Sequence, residues 1–272
     1  MEAKLHRRVQ RYGWDKAVED YDRCFVPLLR HCSERCIELM ALKPGERVLD
    51  VATGTGVAAL MAAQRVGPQG RVVATDIAEK MVEATRAEAQ RHGVANMDFQ
   101  RMDAEELEFP DGSFDAALCI LGLMYPAEPQ RAIQQMHRVL RPGGRAAVAV
   151  WGRRDRCGWA EIFPIVDARV ESDVCPLFFQ LGNPGALTYA FEQAGFSGLH
   201  EERIDRPLDF ESEHDVLAAV FAGGPVALAY SKFSPQVRED VHAEYLASIQ
   251  TYRNGAGYSV PGEFVFMLAR KA

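Results

Sequence analysis

The sequence has no apolar run long enough to cross a bilayer: its longest, residues 116–125, falls well short of the roughly 20 residues a spanning helix needs. It also lacks the basic clusters with which a protein neutralises nucleic-acid phosphates. Apart from the short run holding Arg153, Arg154 and Arg156, its Lys and Arg residues are dispersed, and the formal net charge is −7. Neither a membrane span nor a nucleic-acid partner is expected. The first residues, Met1 to Arg8, are charged and carry no apolar segment of the secretory kind, so a cytoplasmic location is expected. Cysteine is sparse and irregularly spaced (Cys24, Cys32, Cys36, Cys119, Cys157, Cys175), which points to reduced thiols rather than a disulfide framework. Internal repeats and low-complexity tracts are missing as well.

The composition is that of an ordinary globular protein: 272 residues, 48% apolar and 25% charged. From Trp14 to Met40 apolar residues recur at helical spacing (Val18, Tyr21, Phe25, Leu29, Cys32, Cys36), which predicts one or two amphipathic helices. Arg47–Val51 is a short apolar run bounded by glycine, as a buried parallel strand would be. Strand and helix then alternate: helix at Val57–Val66, strand at Arg71–Asp76, helix over 78–92, a weak strand over 96–101, strand at Phe114–Ile120, helix over 130–140 and strand over 145–151. Such alternation gives an open parallel sheet with helices on both faces. Beyond Trp151 the pattern predicts helices over 157–171, 184–194, 211–221 and 234–253, with strands over 198–206 and 263–270.

The segment Val48-Leu49-Asp50-Val51-Ala52-Thr53-Gly54-Thr55-Gly56 joins the first strand to its helix. Glycines let backbone approach a ligand there, and a helix N-terminus offers free N–H groups and a positive dipole end. The pattern also satisfies a relaxed dinucleotide fingerprint, with Asp76 ending the second strand where ribose hydroxyls would need an acceptor, so a nicotinamide enzyme competes at this point.

Three further segments follow in order: Met102-Asp103-Ala104 just after the third strand, with Pro110-Asp111-Gly112-Ser113-Phe114-Asp115 leading into the fourth; Cys119-Ile120-Leu121-Gly122-Leu123; and Met136-His137-Arg138-Val139-Leu140-Arg141-Pro142-Gly143-Gly144. Together with the glycine turn they resemble the class I S-adenosylmethionine (SAM) dependent methyltransferases, nearest to the ubiquinone and menaquinone biosynthesis C-methyltransferase branch, over roughly residues 14–151. The resemblance implies a Rossmann-like α/β fold: a mostly parallel seven-stranded sheet with N-terminal helices and a C-terminal helical lid insertion. It divides the chain into a helical cap (1–42), a SAM-binding core (43–151), and substrate-covering helices plus the last two strands of the same sheet (152–272), all in one domain. It also implies that backbone at Ala52, Gly54 and Gly56 holds the methionyl end of SAM near Asp50. Asp76 would accept both ribose hydroxyls, Ile77 and Met81 would pack on adenine, Asp103 and the Ala104 amide would read its edge, and the Leu121 carbonyl would face the methionyl ammonium or the sulfonium. Two departures stand out. Ala52 replaces the usual first glycine, which is tolerable if its φ is negative. Met124-Tyr125 stands where the quinone-pathway enzymes carry Arg-Asn, against a quinone-precursor substrate.

Methyl transfer is an in-line displacement that needs alignment in a dry site more than elaborate side-chain chemistry. Tyr125, just past the fourth strand, is the catalytic candidate lining the acceptor site, and Tyr12, Trp14, Tyr21 and Trp151 are candidates for covering cofactor and acceptor. His31, His214 and His242 lie in the variable segments but are assigned no role; His137 should face away from the crevice. Cys32 and Cys36, four apart on a helix, raise an arsenic- or thiol-type activity, though no metal ligand set is assigned. The expected function is methylation of carbon or oxygen in a small, fairly apolar metabolite, in a chain compatible with a homo-oligomer. The alternatives are a NAD-dependent oxidoreductase, the thiol-type enzyme and a non-catalytic SAM-binding protein.

Overall fold

The computed structural model describes residues 3–171, 175 and 177–272. Residues 1–2 of the expected cap, and 172–174 and 176 of the expected covering segment, lie outside the described residues. Helix α1 (Ala3–Asp20) runs through a single π-helical turn (Tyr21–Phe25) into α2 (Val26–Met40), so the one-or-two-helix expectation resolves into one helical path with a bulge. The apolar stripe of α2 (Leu29, Cys32, Cys36, Ile37, Met40) is buried against the sheet, and the helix ends at Ala41 in the left-handed conformation.

Strand β1 (Arg47–Val51), helix α3 (Val57–Val66), β2 (Arg71–Asp76), α4 (Glu79–Arg91), β3 (Met97–Arg101), β4 (Phe114–Ile120), α5 (Pro129–Val139) and β5 (Leu140–Trp151) follow the predicted alternation. Apolar side chains on both faces bury β1, β2 and β4 almost completely, which is why they read as unbroken runs. Strand β5 starts five residues earlier than the sequence pattern suggested: Leu140 pairs with Phe114, and the Arg141-Pro142-Gly143-Gly144 turn is absorbed as an irregularity before Arg145 pairs with Ala116.

After β5 come α6 (Ile162–Asp167), α7 (Ala186–Gln193), β6 (Phe196–Asp205), β7 (Leu208–Phe210), α8 (Glu213–Leu217), α9 (Ala227–Tyr230), α10 (Pro235–Ser248), β8 (Arg253–Asn254), β9 (Gly257–Val260) and β10 (Glu263–Lys271). Three helices are shorter than their periodicity implied. Helix α6 covers only the middle of 157–171, the 211–221 segment is α8 followed by a π-helical turn at Ala218–Ala222, and α10 stops before Gln250–Tyr252 closes a 3-10 turn. Ser212 and Ser234 cap α8 and α10 through their hydroxyls. Strands β7, β9 and β8 form a small second sheet that the sequence pattern did not disclose.

The main sheet has the order β3-β2-β1-β4-β5-β10-β6, with β10 antiparallel to both β5 and β6 and the other pairs parallel. An antiparallel strand inserted beside β5 departs from the 3-2-1-4-5-6 dinucleotide order. The chain winds outward from β1 in one direction to β2 and β3, then in the other to β4 and β5. The crevice above the carboxyl ends of β1 and β4 is therefore the topological switch point where such sheets bind ligands. Among the described residues no helix is long and apolar enough to cross a membrane.

Candidate functional site

At the carboxyl end of β1 the chain turns sharply into α3, with Ala52, Gly54 and Gly56 all in the left-handed region (φ 53°, 58° and 92°). The condition under which alanine would be tolerated at position 52 without strain, a negative φ, is thus not met: the turn keeps its glycine-like conformation with a methyl group in place. The turn is pinned by Thr53 N donating to Thr75 O at 2.9 Å and Thr53 Oγ1 donating to Asp50 Oδ2 at 2.7 Å. A Cβ on Gly56 would come within 2.6 Å of Thr85 Cγ2, and Thr85 Oγ1 donates to Gly54 O at 2.8 Å, so Gly56 lets the turn pack on α4. Leu121, past the end of β4, is likewise left-handed (φ 55°), with its amide donated to Ala149 O. Left-handed non-glycine residues are costly and gather at ligand sites.

Above these turns lies a cavity open to solvent, with about 1000 Å³ of empty space when the solvent at its mouth is included. One end is lined by Asp76, Ile77, Met81, Asp103 and Ala104, the other by Trp14, Tyr125, Trp151, Trp159 and Phe178, with Ala52, Gly54, Tyr21 and Leu121 between. A smaller adjoining cavity holds Asp50, Thr53, Thr55 and Arg30. Burial pushes the Asp50 carboxyl up to about 7, against the Thr53 hydrogen bond that favours its ionised form. Burial likewise pushes Asp76 up to about 6, against the amides of Ala78 and Gly54 that it accepts at 2.9 and 3.0 Å. Asp103 is also raised by burial; its Oδ1 accepts the Glu105 amide at 2.9 Å and its Oδ2 lies 3.0 Å from Arg7 Nε.

The other end is aromatic. The Tyr125 ring meets Trp14 edge-on at 5.0 Å and Phe178 at 5.6 Å, and Trp151 lies 4.7 Å from Trp159 and 4.5 Å from Phe264. Burial drives the Tyr125 hydroxyl well above the usual tyrosine range, so it stays protonated at neutral pH, a state in which it can donate a hydrogen bond but not take up a proton as a base. Tyr21 sits on the π-helical turn, where the bulge brings its ring over Gly54; a Cβ on Gly54 would lie 3.6 Å from Tyr21 Cε1.

The cavity thus brings together Ala52, Gly54, Asp76, Ile77, Met81, Asp103, Ala104, Leu121, Tyr125, Trp14, Tyr21 and Trp151, while Asp50 lines its smaller neighbour. Two sequence candidates stand outside. Gly56 lies behind the turn, and Tyr12 is half-exposed on the outer face of α1, its ring beneath the Arg11 guanidinium. The sequence reading missed Arg7, Gln10, Glu105, Trp159 and Phe178, all on the cavity wall. Arg7 closes α1 onto the core by pairing with Asp103 and with the fully buried Glu105, which also accepts the Glu128 amide. Asp15 accepts the Lys80 amide at 2.9 Å, and His6 Nε2 meets Tyr125 O at 2.7 Å, fastening the same helix. His31 contacts Leu28 O and His242 the Tyr230 hydroxyl, and neither lines the cavity. His137 packs on Phe196, away from the crevice. Cys32, Cys36 and Cys119 are buried, with burial holding their thiols protonated. Among the described residues no group of three His, Cys, Asp or Glu side chains is arranged to hold a metal.

Residues 48–144 match the family described as "Methyltransferase domain". The chain is 30% identical over 259 residues to nocamycin O-methyltransferase of Saccharothrix syringae, covering 89% of this chain and 91% of the relative. It is 45% identical over 113 residues to a ubiquinone/menaquinone biosynthesis C-methyltransferase of Pseudomonas entomophila, where the match spans 41% of this chain and under half of the relative (44%). The YcgJ protein of Bacillus subtilis shares the fold, with a TM-score of 0.64 at 20% identity over 89% of this chain and 98% of that one. A full-length relative, a matching core and a sheet carrying its glycine turn at the switch point agree: this chain belongs to the family of S-adenosylmethionine-dependent methyltransferases.

Proposed function

We propose that the protein transfers a methyl group from SAM to oxygen or carbon of a small, uncharged, largely aromatic molecule. The observation that carries this reading is the connected set of ring contacts among Trp14, Tyr125, Phe178, Trp159 and Trp151 on the cavity wall, a set that among the described residues contains no ionised side chain, while the carboxylates Asp76 and Asp103 line the same cavity elsewhere. The carboxylate end suits the cofactor. Asp76 keeps lone pairs beyond the two amides it accepts, which would take the ribose hydroxyls. Ile77 and Met81 supply apolar walls for adenine beside Asp103 and Ala104, and Asp50 beside the glycine turn would meet the methionyl end. When bound, SAM supplies an electrophilic methyl carbon on a sulfonium.

The chain's own contribution is alignment and exclusion of water. Trp14, Trp151 and Phe178 form an apolar enclosure in which an acceptor's π-face packs well, and Tyr21 separates it from the glycine turn. The protonated Tyr125 hydroxyl would donate to the acceptor's oxygen and lower its pKa, so that the acceptor gives its proton to solvent water before the site closes and reacts as the oxyanion. Among the described residues of that wall a cationic amine acceptor would lose its hydration with no carboxylate opposite, and a phosphorylated one would find no free cation, because Arg7 is committed to Asp103 and Glu105 and Arg30 to Glu34. Helices α1 and α2 and the segment after Trp151, which supplies Trp159 and Phe178, act as the lid.

Calorimetric titration with S-adenosylhomocysteine (SAH) and separately with NADH tests the cofactor class, and transfer of a labelled methyl group from SAM to a panel of hydroxylated aromatics tests the reaction. Binding of SAH alone is the expected result; binding of NADH alone would overturn the reading.

A further inference from the structure

Helix α1 turns three side chains inward one turn apart: Arg7 toward Asp103, Trp14 toward Tyr125, and between them Gln10. Gln10 is 6% exposed and lines the cavity, yet its carboxamide makes one weak contact among the described residues, Nε2 donating to Cys175 Sγ at 3.5 Å. A carboxamide has two donor hydrogens and two acceptor lone pairs, and a thiol is a poor acceptor. Among the described residues the carboxamide therefore keeps hydrogen-bonding capacity unused on the cavity wall, where a ligand can take it up. Its contact with Cys175, near Phe178 in the chain, puts Gln10 at the aromatic end, and the same thiol adds to the rise of the Tyr125 hydroxyl.

We infer that Gln10 is a specificity-determining residue: with the Tyr125 hydroxyl it forms the polar pair that recognises an oxygen substituent on a flat, uncharged aromatic acceptor. The inference rests on reading the aromatic end as the acceptor site. Gln10 and Tyr125 line the same cavity and both lie close to the Cys175 thiol, so two neutral polar groups stand among the rings of Trp14, Trp159 and Phe178. An acceptor with a phenolic or enolic oxygen satisfies both, whereas the bare hydrocarbon leaves both unpaired. Sites built to hydrogen-bond a substrate hydroxyl discriminate in this way against analogues that lack it.

The test uses SAH-loaded full-length protein titrated with 1-naphthol, naphthalene and 1-naphthylmethylammonium. The wild type is expected to bind 1-naphthol about three- to tenfold more tightly than naphthalene and to bind the cation least. Gln10→Leu should lower the naphthol-to-naphthalene ratio about two- to threefold, the Tyr125 hydroxyl still donating, without weakening naphthalene. Gln10→Glu, which keeps the shape and adds a charge, should raise the affinity for the cation above that for 1-naphthol, a reversal that a purely structural role for Gln10 does not produce. If SAH binds and the ratio is unchanged in Gln10→Leu, or the order is unchanged in Gln10→Glu, the assignment of Gln10 is wrong while the methyltransferase reading stands. If the wild type does not bind SAH, the proposed function fails and this assignment with it.

Discussion

The Asp76 carboxylate at the end of β2 accepts the Gly54 amide at 3.0 Å, so a group that lines the cavity also braces the turn after β1. Turn shape and ligand acceptor are therefore linked in one side chain. Asp76→Asn keeps one oxygen but replaces the other with a donor that faces the Gly54 or Ala78 amide. Charged hydrogen bonds contribute about 1.5–3 kcal/mol, so SAH affinity should fall at least tenfold in calorimetry. Unchanged affinity would remove Asp76 from the ribose site.

Arg7 joins α1 to Glu105, whose side chain is fully buried. Removing one partner of such a pair leaves a buried charge uncompensated, at a cost of about 3–5 kcal/mol when both are buried. Arg7 is about a quarter exposed, so Arg7→Met should cost less, about 2 kcal/mol, part of it recovered by adding Glu105→Gln. Because Asp15 holds the far half of the same helix, its N-terminal turns, left with the His6 contact alone, should loosen first. Limited trypsin digestion should then cut at Arg8 and Arg11 sooner in Arg7→Met than in the wild type, and SAH should dissociate faster. Equal digestion rates would show that α1 does not depend on this pair.

At Ala52 the sequence departs from glycine while the backbone does not (φ 53°). The left-handed conformation costs an L-residue about 1–2 kcal/mol, partly offset by the greater unfolded-state freedom of glycine. Ala52→Gly should therefore stabilise the ligand-free protein by about 0.5–1 kcal/mol. The Ala52 methyl also presses toward Gly122, where an added Cβ would lie 2.6 Å from it and 2.8 Å from Cys119 Sγ. Gly122→Ala alone should be destabilised by about 1–3 kcal/mol, and less so in the Ala52→Gly background. Additive effects in denaturant melts would show that the two methyl groups do not meet.

The central strands were legible because parallel strands buried on both faces must be apolar throughout and end at glycine turns; β2, α3 and β4 have the predicted bounds. The walls of the acceptor end were not legible for two reasons. On α1 the inward side is set by helical phase: Tyr12 lies two residues from both Gln10 and Trp14, about 200° around the helix, so an aromatic residue close in sequence faces outward. Arg7 and Gln10 were passed over because polar residues near a chain end read as solvated surface, whereas here one is held by buried carboxylates and the other by the cavity. Trp159 and Phe178 come from a segment of short helices and turns, where no periodicity shows which side chains converge.

The two buried carboxyls make binding depend on pH. Burial raises Asp50 to about 7 and Asp76 to about 6, while in the unfolded chain both titrate near the ordinary aspartate value of about 3.9. Between about pH 4 and 7 the native state thus holds protons that the unfolded state has released, and stability falls as pH rises through this window. In the proposed site, cofactor hydroxyls would donate to the ionised form of Asp76, so ligand binding would favour the opposite change. SAH affinity should rise as pH climbs toward 7, with about a tenfold loss for each unit below 6, and level off above. The ligand-free protein should melt at lower temperature at pH 8 than at pH 5, and saturating SAH should shrink that difference. Asp50→Asn, which keeps an oxygen for the Thr53 hydroxyl but carries no charge, should flatten the ligand-free pH dependence. SAH affinity that stayed constant from pH 5 to 8 would mean that neither carboxyl faces the cofactor.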